Sequence, residues 1–205
     1  MKLLLLLALI FVPACGGLLQ NGPPPARVQL NPSLPGKAPA VPGKQLVIAL
    51  PQAEQDVDSD GISLLFHGRE VRYLSGYRWI SPAPRIIQRA FLDALQATGA
   101  LAGVADDMAG IAADARLLCD IRQFCLRWDE GAAPPTAWFA ATLRLVDTGS
   151  GRLLGSRALD VSVPAASGDT PALIRAMETA LEQVLSEATD WTLERLRGKY
   201  RAVSL

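Results

Sequence analysis

One apolar stripe near the carboxyl end of the chain constrains its fold more than any other sequence feature. The residues of this stripe recur every three or four positions, at Leu173, Met177, Leu181, Val184, Leu185, Ala188 and Trp191. The period predicts one amphipathic helix of about seven turns, which needs an apolar layer to lie on. Thr170 and Pro171 precede the stripe, and we expect them to provide the cap and the first helical residue.

A second, shorter helix is predicted to begin at Ser81, whose side chain suits the cap position, with Pro82 as the first helical residue. Gly99 is a typical stop for such a helix. One face of the segment is apolar and repeats every four residues, at Ile87, Phe91 and Leu95. We therefore expect two helices, which pack on the structure that the remaining segments of the chain form.

Short apolar runs and alternating patterns predict the strands. A continuous apolar run at 46–50 indicates a strand covered on both faces, and residues 62–67 form a second candidate after a polar turn. Residues 116–128 are a third, and alternation at 138–147 and 159–163 around a glycine-containing turn predicts a hairpin. The order of elements predicts an α/β fold, with one mixed sheet of about five strands and two helices packed on it.

The amino-terminal segment is typical of an exported and acylated protein. A single lysine precedes an apolar run over residues 3–12, which fits a secretory signal and is too short to cross a bilayer as a helix. Cys15 follows the lipobox-like Val12-Pro13-Ala14, although proline is unusual at its position. We predict that residues 1–14 are a signal peptide and that Cys15 is acylated, by chains such as palmitate. The alternative is an ordinary signal peptide, with Cys15 only near the cleavage site.

The residue after the cysteine bears on the destination of the protein. Gly16 stands where many lipoproteins that stay in the inner membrane carry aspartate. By analogy with that sorting rule, we expect a lipid anchor in the outer membrane, with the protein facing the periplasm. The only firm membrane contact expected is the lipid.

Residues 15–44 are predicted to be the lipidated cysteine and a proline-rich linker. The range 16–44 contains seven prolines and shows neither helical nor strand periodicity, so we expect it to bury no core of its own. The folded domain is predicted over 45–205. The full chain balances 20 basic against 20 acidic residues, and loss of Lys2 leaves 19 against 20, a net charge of −1. This balance gives no sign of a nucleic-acid partner.

Motifs for catalysis and metal binding are scarce. His67 is the one histidine in the chain, which excludes a histidine-based metal cluster, and no nucleophile elbow or phosphate-binding loop is present. Asp56, Asp58 and Asp60 followed by Gly61 match the first half of a calcium loop, but His67 stands where its bidentate glutamate is needed. We interpret this segment as an acidic turn. The sequence predicts no catalytic residue, no metal site and no cofactor.

Two groups of residues leave alternatives open. Cys119 and Cys125 lie six residues apart, about 20 Å along a regular strand, whereas a disulfide needs Cα atoms within about 7 Å. Two small buried residues are thus favoured over a mutual disulfide, although the expected compartment permits oxidation. The aromatic-rich segment Arg72–Trp79 is interpreted as an apolar plug before the first helix. The alternative is a binding lip for a lipid or a partner.

The ordered set of these features resembles the ABC-type transport auxiliary lipoprotein family. The most specific part is Tyr77-Arg78-Trp79-Ile80-Ser81-Pro82, followed by the helical segment Ile86–Leu95 and Gly99. The strand Leu117–Phe124, the hairpin Ala137–Val163 and a terminal helix ending near Trp191 follow in the family's order. The departures from the family are the lipobox proline, the proline-rich linker and the cysteine pair.

The resemblance implies a non-catalytic accessory of a system that moves lipids between the two membranes. Such systems pair an ABC permease and ATPase with an MCE-type substrate-binding protein, and these would be the partners of this chain. The resemblance transfers no functional residue other than the lipidated Cys15, and the partner-binding surface and any homo-oligomer stay open. Two other functions are considered: a lipoprotein that assists outer-membrane assembly, as a plug or chaperone of a β-barrel, and, with least support, a lipid-anchored enzyme.

Overall fold

The computed structural model describes residues 23–128 and 134–201. Within these ranges the chain forms nine strands and two helices. In chain order they are β1 (Ala26–Val28), β2 (Gln45–Ile48), β3 (Gln52–Ala53), β4 (Gly61–Phe66), β5 (Glu70–Trp79), α1 (Ala83–Thr98), β6 (Gly103–Asp106), β7 (Ala115–Trp128), β8 (Thr136–Asp147), β9 (Leu153–Pro164) and α2 (Thr170–Arg201). Neither of these two helices combines the length and the apolar character needed to span a bilayer.

Strand β7 is the centre of the sheet. One of its edges pairs antiparallel with β8 from Ala115 to Arg127, and β8 pairs antiparallel with β9. Along the other edge, β2, β3 and β4 follow one another parallel to β7, so that the chain from Gln45 to Phe66 forms one interrupted path beside it. The sheet continues from β4 through β5 to β1, and from β2 to β6. The prediction of a mixed sheet with two helices is confirmed.

The predicted number of about five strands is wrong, because the described residues form nine. Strands β1, β3 and β6 have two to four residues each, which is too few for a period to show. Strand β5 has ten residues but is exposed along most of its length, so it lacks the alternation of a half-buried strand. The missed strands therefore carry little hydrophobic signal.

The helices cover one face of the sheet and enclose the core. Every residue of the apolar stripe on α2 is buried, from Leu173 at 2% exposure to Trp191 at 6%. A bulge in β7 between Ile121 and Gln123 shifts its alternation by one residue. The shift brings Phe124 into the core, where its ring stacks on Trp79 at 5.9 Å and meets Phe139 edge-on at 5.6 Å.

Both helices begin one residue away from the predicted positions. Helix α1 has Pro82 as its cap residue, without a side-chain hydrogen bond, so the predicted cap at Ser81 is wrong. Helix α2 is capped by Asp169, which accepts a hydrogen bond from the Ala172 N–H at 2.9 Å, so Thr170 is the first helical residue. The predicted stop at Gly99 is confirmed, because its φ of 62° is the left-handed conformation that ends the helix.

Residues 29–44, which we call the strap, lie along the helices. Leu30 is 6% exposed and Val41 is 3% exposed, and both belong to the core. These two side chains pack into the core formed by the sheet and the helices, so the range predicted as a linker is attached to the folded unit there. Its four prolines supply no N–H group to a ladder, so the strap packs without becoming a strand.

Candidate functional site

The predicted signal peptide over residues 1–14 and the predicted anchor Cys15 lie outside the described residues. The acylation of Cys15 therefore stays a prediction. The first described residues are three exposed prolines, which lead into β1. Strand β1 pairs parallel with residues 77–79 of β5, and this is where the chain that follows Cys15 joins the sheet.

An ionic contact fixes this junction. Asp60 accepts hydrogen bonds from Arg27 of β1 and from Arg78 of β5, each at 2.8 Å. Desolvation opposes the charge on Asp60, but the two arginines outweigh it and lower the pKa of its carboxyl. The carboxylate that resembled a calcium ligand therefore binds two guanidinium groups. Within residues 23–128 and 134–201, no cluster of three or more histidine, cysteine or acidic side chains is arranged to hold a metal ion.

Helix α2 holds the strap through carboxylates. The Asn31 N–H donates to Glu178 Oε1 at 3.0 Å, and the Ser33 N–H donates to Glu182 Oε1 at 2.7 Å. The two glutamates are one helical turn apart, so they lie on the same face of α2. Further along, the Arg197 guanidinium donates to the Pro39 carbonyl at 2.6 Å. The strap is thus attached by side chains that reach across 147 residues or more of sequence.

A groove of about 280 Å³ lies between the strap and helix α1. We call it the strap groove. Its inner wall is apolar and is formed by Leu30 of the strap, Ile86 and Ala90 of α1, and Leu181 of α2. Its rim carries two large apolar side chains that are about half exposed, Leu34 and Ile80, together with the polar residues Arg85, Arg89 and Asp93.

Two interpretations were considered for the aromatic segment 72–79, a plug and a binding lip, and each fits a different part of it. Trp79 is 1% exposed and stacks in the core, as a plug would. Tyr73 is 48% exposed, and Val71, two residues earlier in β5, is 43% exposed. The plug interpretation is therefore confirmed for Trp79, while the first part of β5 presents apolar and aromatic side chains to solvent.

The thiols of Cys119 and Cys125 are unsuited to nucleophilic chemistry. Cys119 and Cys125 are both free and both buried, as the favoured interpretation predicted. Burial raises the pKa of each thiol to about 12, which keeps it protonated at neutral pH. His67 lies in the turn after β4, where its φ of 49° is left-handed, and its ring meets Phe66 edge-on at 6.4 Å.

Comparison with known proteins gives a family and a fold. The family model of the ABC-type transport auxiliary lipoprotein component matches residues 29–188, from the first residue of the strap into helix α2. The protein XCC0632 from Xanthomonas campestris is 26% identical, with a TM-score of 0.80 over 86% of this chain and 99% of that one. The protein CT253 from Chlamydia trachomatis shares the fold, with 10% identity and a TM-score of 0.54 over 75% of this chain and 98% of that one. No curated protein matches the chain.

Proposed function

Because the chain belongs to the family of ABC-type transport auxiliary lipoproteins, we propose that it is anchored in the outer membrane and serves an MCE-type system that moves lipids between the two membranes. It would face the periplasm and would act without catalysis. Its partners would be the MCE-type substrate-binding protein and the ABC permease and ATPase. The observation that carries the proposal is the family match, which extends over the strap, strands β2 to β9, helix α1 and helix α2 as far as residue 188.

Because the strap is attached to the domain, the tether between Cys15 and the folded domain is short. Ten residues separate Cys15 from Ala26, the first residue of β1. Even when fully extended, ten residues span at most about 35 Å. A free linker over 16–44 would allow about 90 Å at 3.1 Å per residue. With Cys15 acylated, the domain would therefore stay close to the membrane surface, and the transport partners would have to reach it there.

Crosslinking in cells tests the proposal. The protein carries a carboxyl-terminal tag, membranes are treated with a crosslinker, and the captured proteins are identified by mass spectrometry. We expect an MCE-type protein, a permease or an ATPase of one transport system among them. Capture of a β-barrel protein without any transporter subunit would instead support a role in outer-membrane assembly.

The variant Cys15→Ala is the matched test of the anchor. It removes the acylated thiol and leaves the described fold untouched. We expect it to lose the mass of the acyl chains and to leave the outer-membrane fraction. An outer-membrane distribution identical to that of the unaltered protein would show that Cys15 is not the anchor.

A further inference from the structure

The strap groove has the composition of a site for an amphiphile. Four apolar residues form its inner wall, and a volume of about 280 Å³ lies near the lower end of the range for small-molecule sites, roughly 300–1,000 Å³. Such a volume suits one alkyl chain better than the two chains of a phospholipid. The exposed Leu34 and Ile80 continue this apolar surface to the rim, where a chain could enter.

The charged side chains that line the groove are Arg85, Arg89 and Asp93, whereas the nearby Glu178 and Glu182 of α2 accept N–H groups of the strap. Arg89 is paired within its own helix, because it binds Asp93 one turn further along α1 at 2.9 Å. Arg85, one turn earlier on the same face, makes no ion pair within the part of the chain that the structure describes and is exposed. The rim thus offers one uncompensated guanidinium beside the apolar wall. A guanidinium binds carboxylate and phosphate oxygens through paired N–H groups.

We propose that the strap groove binds an anionic amphiphile with a single alkyl chain. The chain lies against Ile86, Ala90 and Leu181, and the anionic head group binds Arg85. Long-chain fatty acids and lysophospholipids share this chemistry, with a carboxylate in one and a phosphate in the other. The physiological meaning, an intermediate or regulator of lipid transport, rests on the proposed function, whereas binding itself is a property of the purified protein.

Photo-crosslinking of the purified protein tests binding. The full-length protein, purified from membranes, is placed in nanodiscs of zwitterionic lipid, and three diazirine probes with equal alkyl chains are compared: a fatty acid, an anionic lysophospholipid and a fatty alcohol. We expect adducts of the anionic probes within residues 29–34 and 80–90. A preference for one anionic probe would identify the head group. Adducts spread over the surface, or alcohol adducts at an equal level, would overturn the proposal.

Two variants separate the head group from the chain. Arg85→Gln is expected to lower the affinity for the anionic probes roughly three- to tenfold, since it removes a charge-assisted contact at an exposed rim, and to leave the alcohol unaffected. Ala90→Phe fills the wall and should abolish labelling by all three probes. Thermal unfolding is compared with that of the unaltered protein, so that a loss of fold is recognised. Arg122→Gln, on an exposed residue of β7 that does not line the groove, is the matched control and should bind normally.

The outcomes distinguish this proposal from the proposed function. Unchanged affinity in both Arg85→Gln and Ala90→Phe would show that the groove is not the site, whatever the crosslinking in cells captures. If the groove instead holds a peptide of a partner protein, both variants would reduce the capture of that protein by crosslinking, and no probe would label the groove. This result would overturn the proposal that the groove binds an amphiphile. If transporter subunits are captured but no probe binds, the proposed function is supported and the proposal of amphiphile binding is wrong.

Discussion

The strap and the β7–β8–β9 meander are both extended chain, but different interactions hold them to the molecule. The meander is joined by long backbone ladders with one register shift in each, from Ala115 opposite Asp147 to Thr136 opposite Pro164. The strap instead has four prolines, two buried side chains, N–H groups that donate to glutamates on α2, and isolated backbone bonds such as those from Ala38 to Thr98 and from Val41 to Ala100. A backbone ladder makes a segment part of the cooperative fold, whereas isolated contacts allow it to open locally. This difference bears on the proposed binding site because the strap forms one wall of the groove.

The largest effect is expected in the meander. Phe139 lies on β8 with no exposed surface and contacts Phe124 in the core. Phe139→Ala should lower the free energy of unfolding by about 3–5 kcal/mol, because a large cavity is left among residues that cannot collapse into it. Chemical denaturation measures this change. Ser162→Ala on the exposed side of β9 is the control and should stay within about 0.5 kcal/mol. A small loss at Phe139 would mean that the aromatic cluster is not part of the core.

The strap gives the next largest effect. Leu30→Ala should cost about 2–3 kcal/mol, at the lower end for a buried leucine, because the strap can shift to fill part of the cavity. Leu34→Ala is the matched control, since that side chain is 47% exposed and its loss should cost less than about 0.5 kcal/mol. A free linker would make both variants neutral in chemical denaturation. Equal effects at the two positions would therefore remove the distinction between strap and linker.

The comparison also explains which parts of the structure the sequence could predict. Alternation and helical period depend on a regular element with one buried face, and residues 116–128, 138–147 and the α2 stripe have that form. These segments were correctly predicted. The strap buries single residues at irregular spacing, so its proline-rich sequence has no period that would indicate the burial of Leu30 and Val41. Contacts such as Glu182 with Ser33 join residues 149 apart in sequence, and no local pattern indicates them.

The groove could not be predicted for the same reason. Its wall combines residues from the strap, α1 and α2, and only the fold brings Leu30, Ile86 and Leu181 together. Arg85 is one of several arginines in the sequence, and only the tertiary structure shows that it makes no ion pair among the described residues. The family resemblance, in contrast, depended on the order of the elements, which a sequence does carry. The match over residues 29–188 confirms it.

Titration of a buried thiol in the meander gives a smaller effect. Burial raises the pKa of the Cys119 thiol from 9.0 to about 12. Since the unfolded chain releases this proton near pH 9 and the folded chain holds it to about pH 12, stability is full below pH 9 and falls above it. The loss attributable to Cys119 should reach about 1 kcal/mol at pH 10. The measurement is the difference in pH dependence between the unaltered protein and Cys119→Ala, and parallel profiles would contradict the prediction.

The smallest effect concerns the attachment of the strap alone. Glu182→Ala removes the acceptor of the Ser33 N–H, which should cost about 1 kcal/mol, since the pair is partly exposed. Because the strap lacks a ladder, the cost should appear as local opening, with hydrogen exchange near Ser33 about fivefold faster and little change at the meander. Glu194→Ala, on the exposed surface of the same helix, is the control for helix propensity. Equal acceleration in both segments would show that strap and meander unfold as one unit, and that the strap cannot open independently to admit a ligand to the groove.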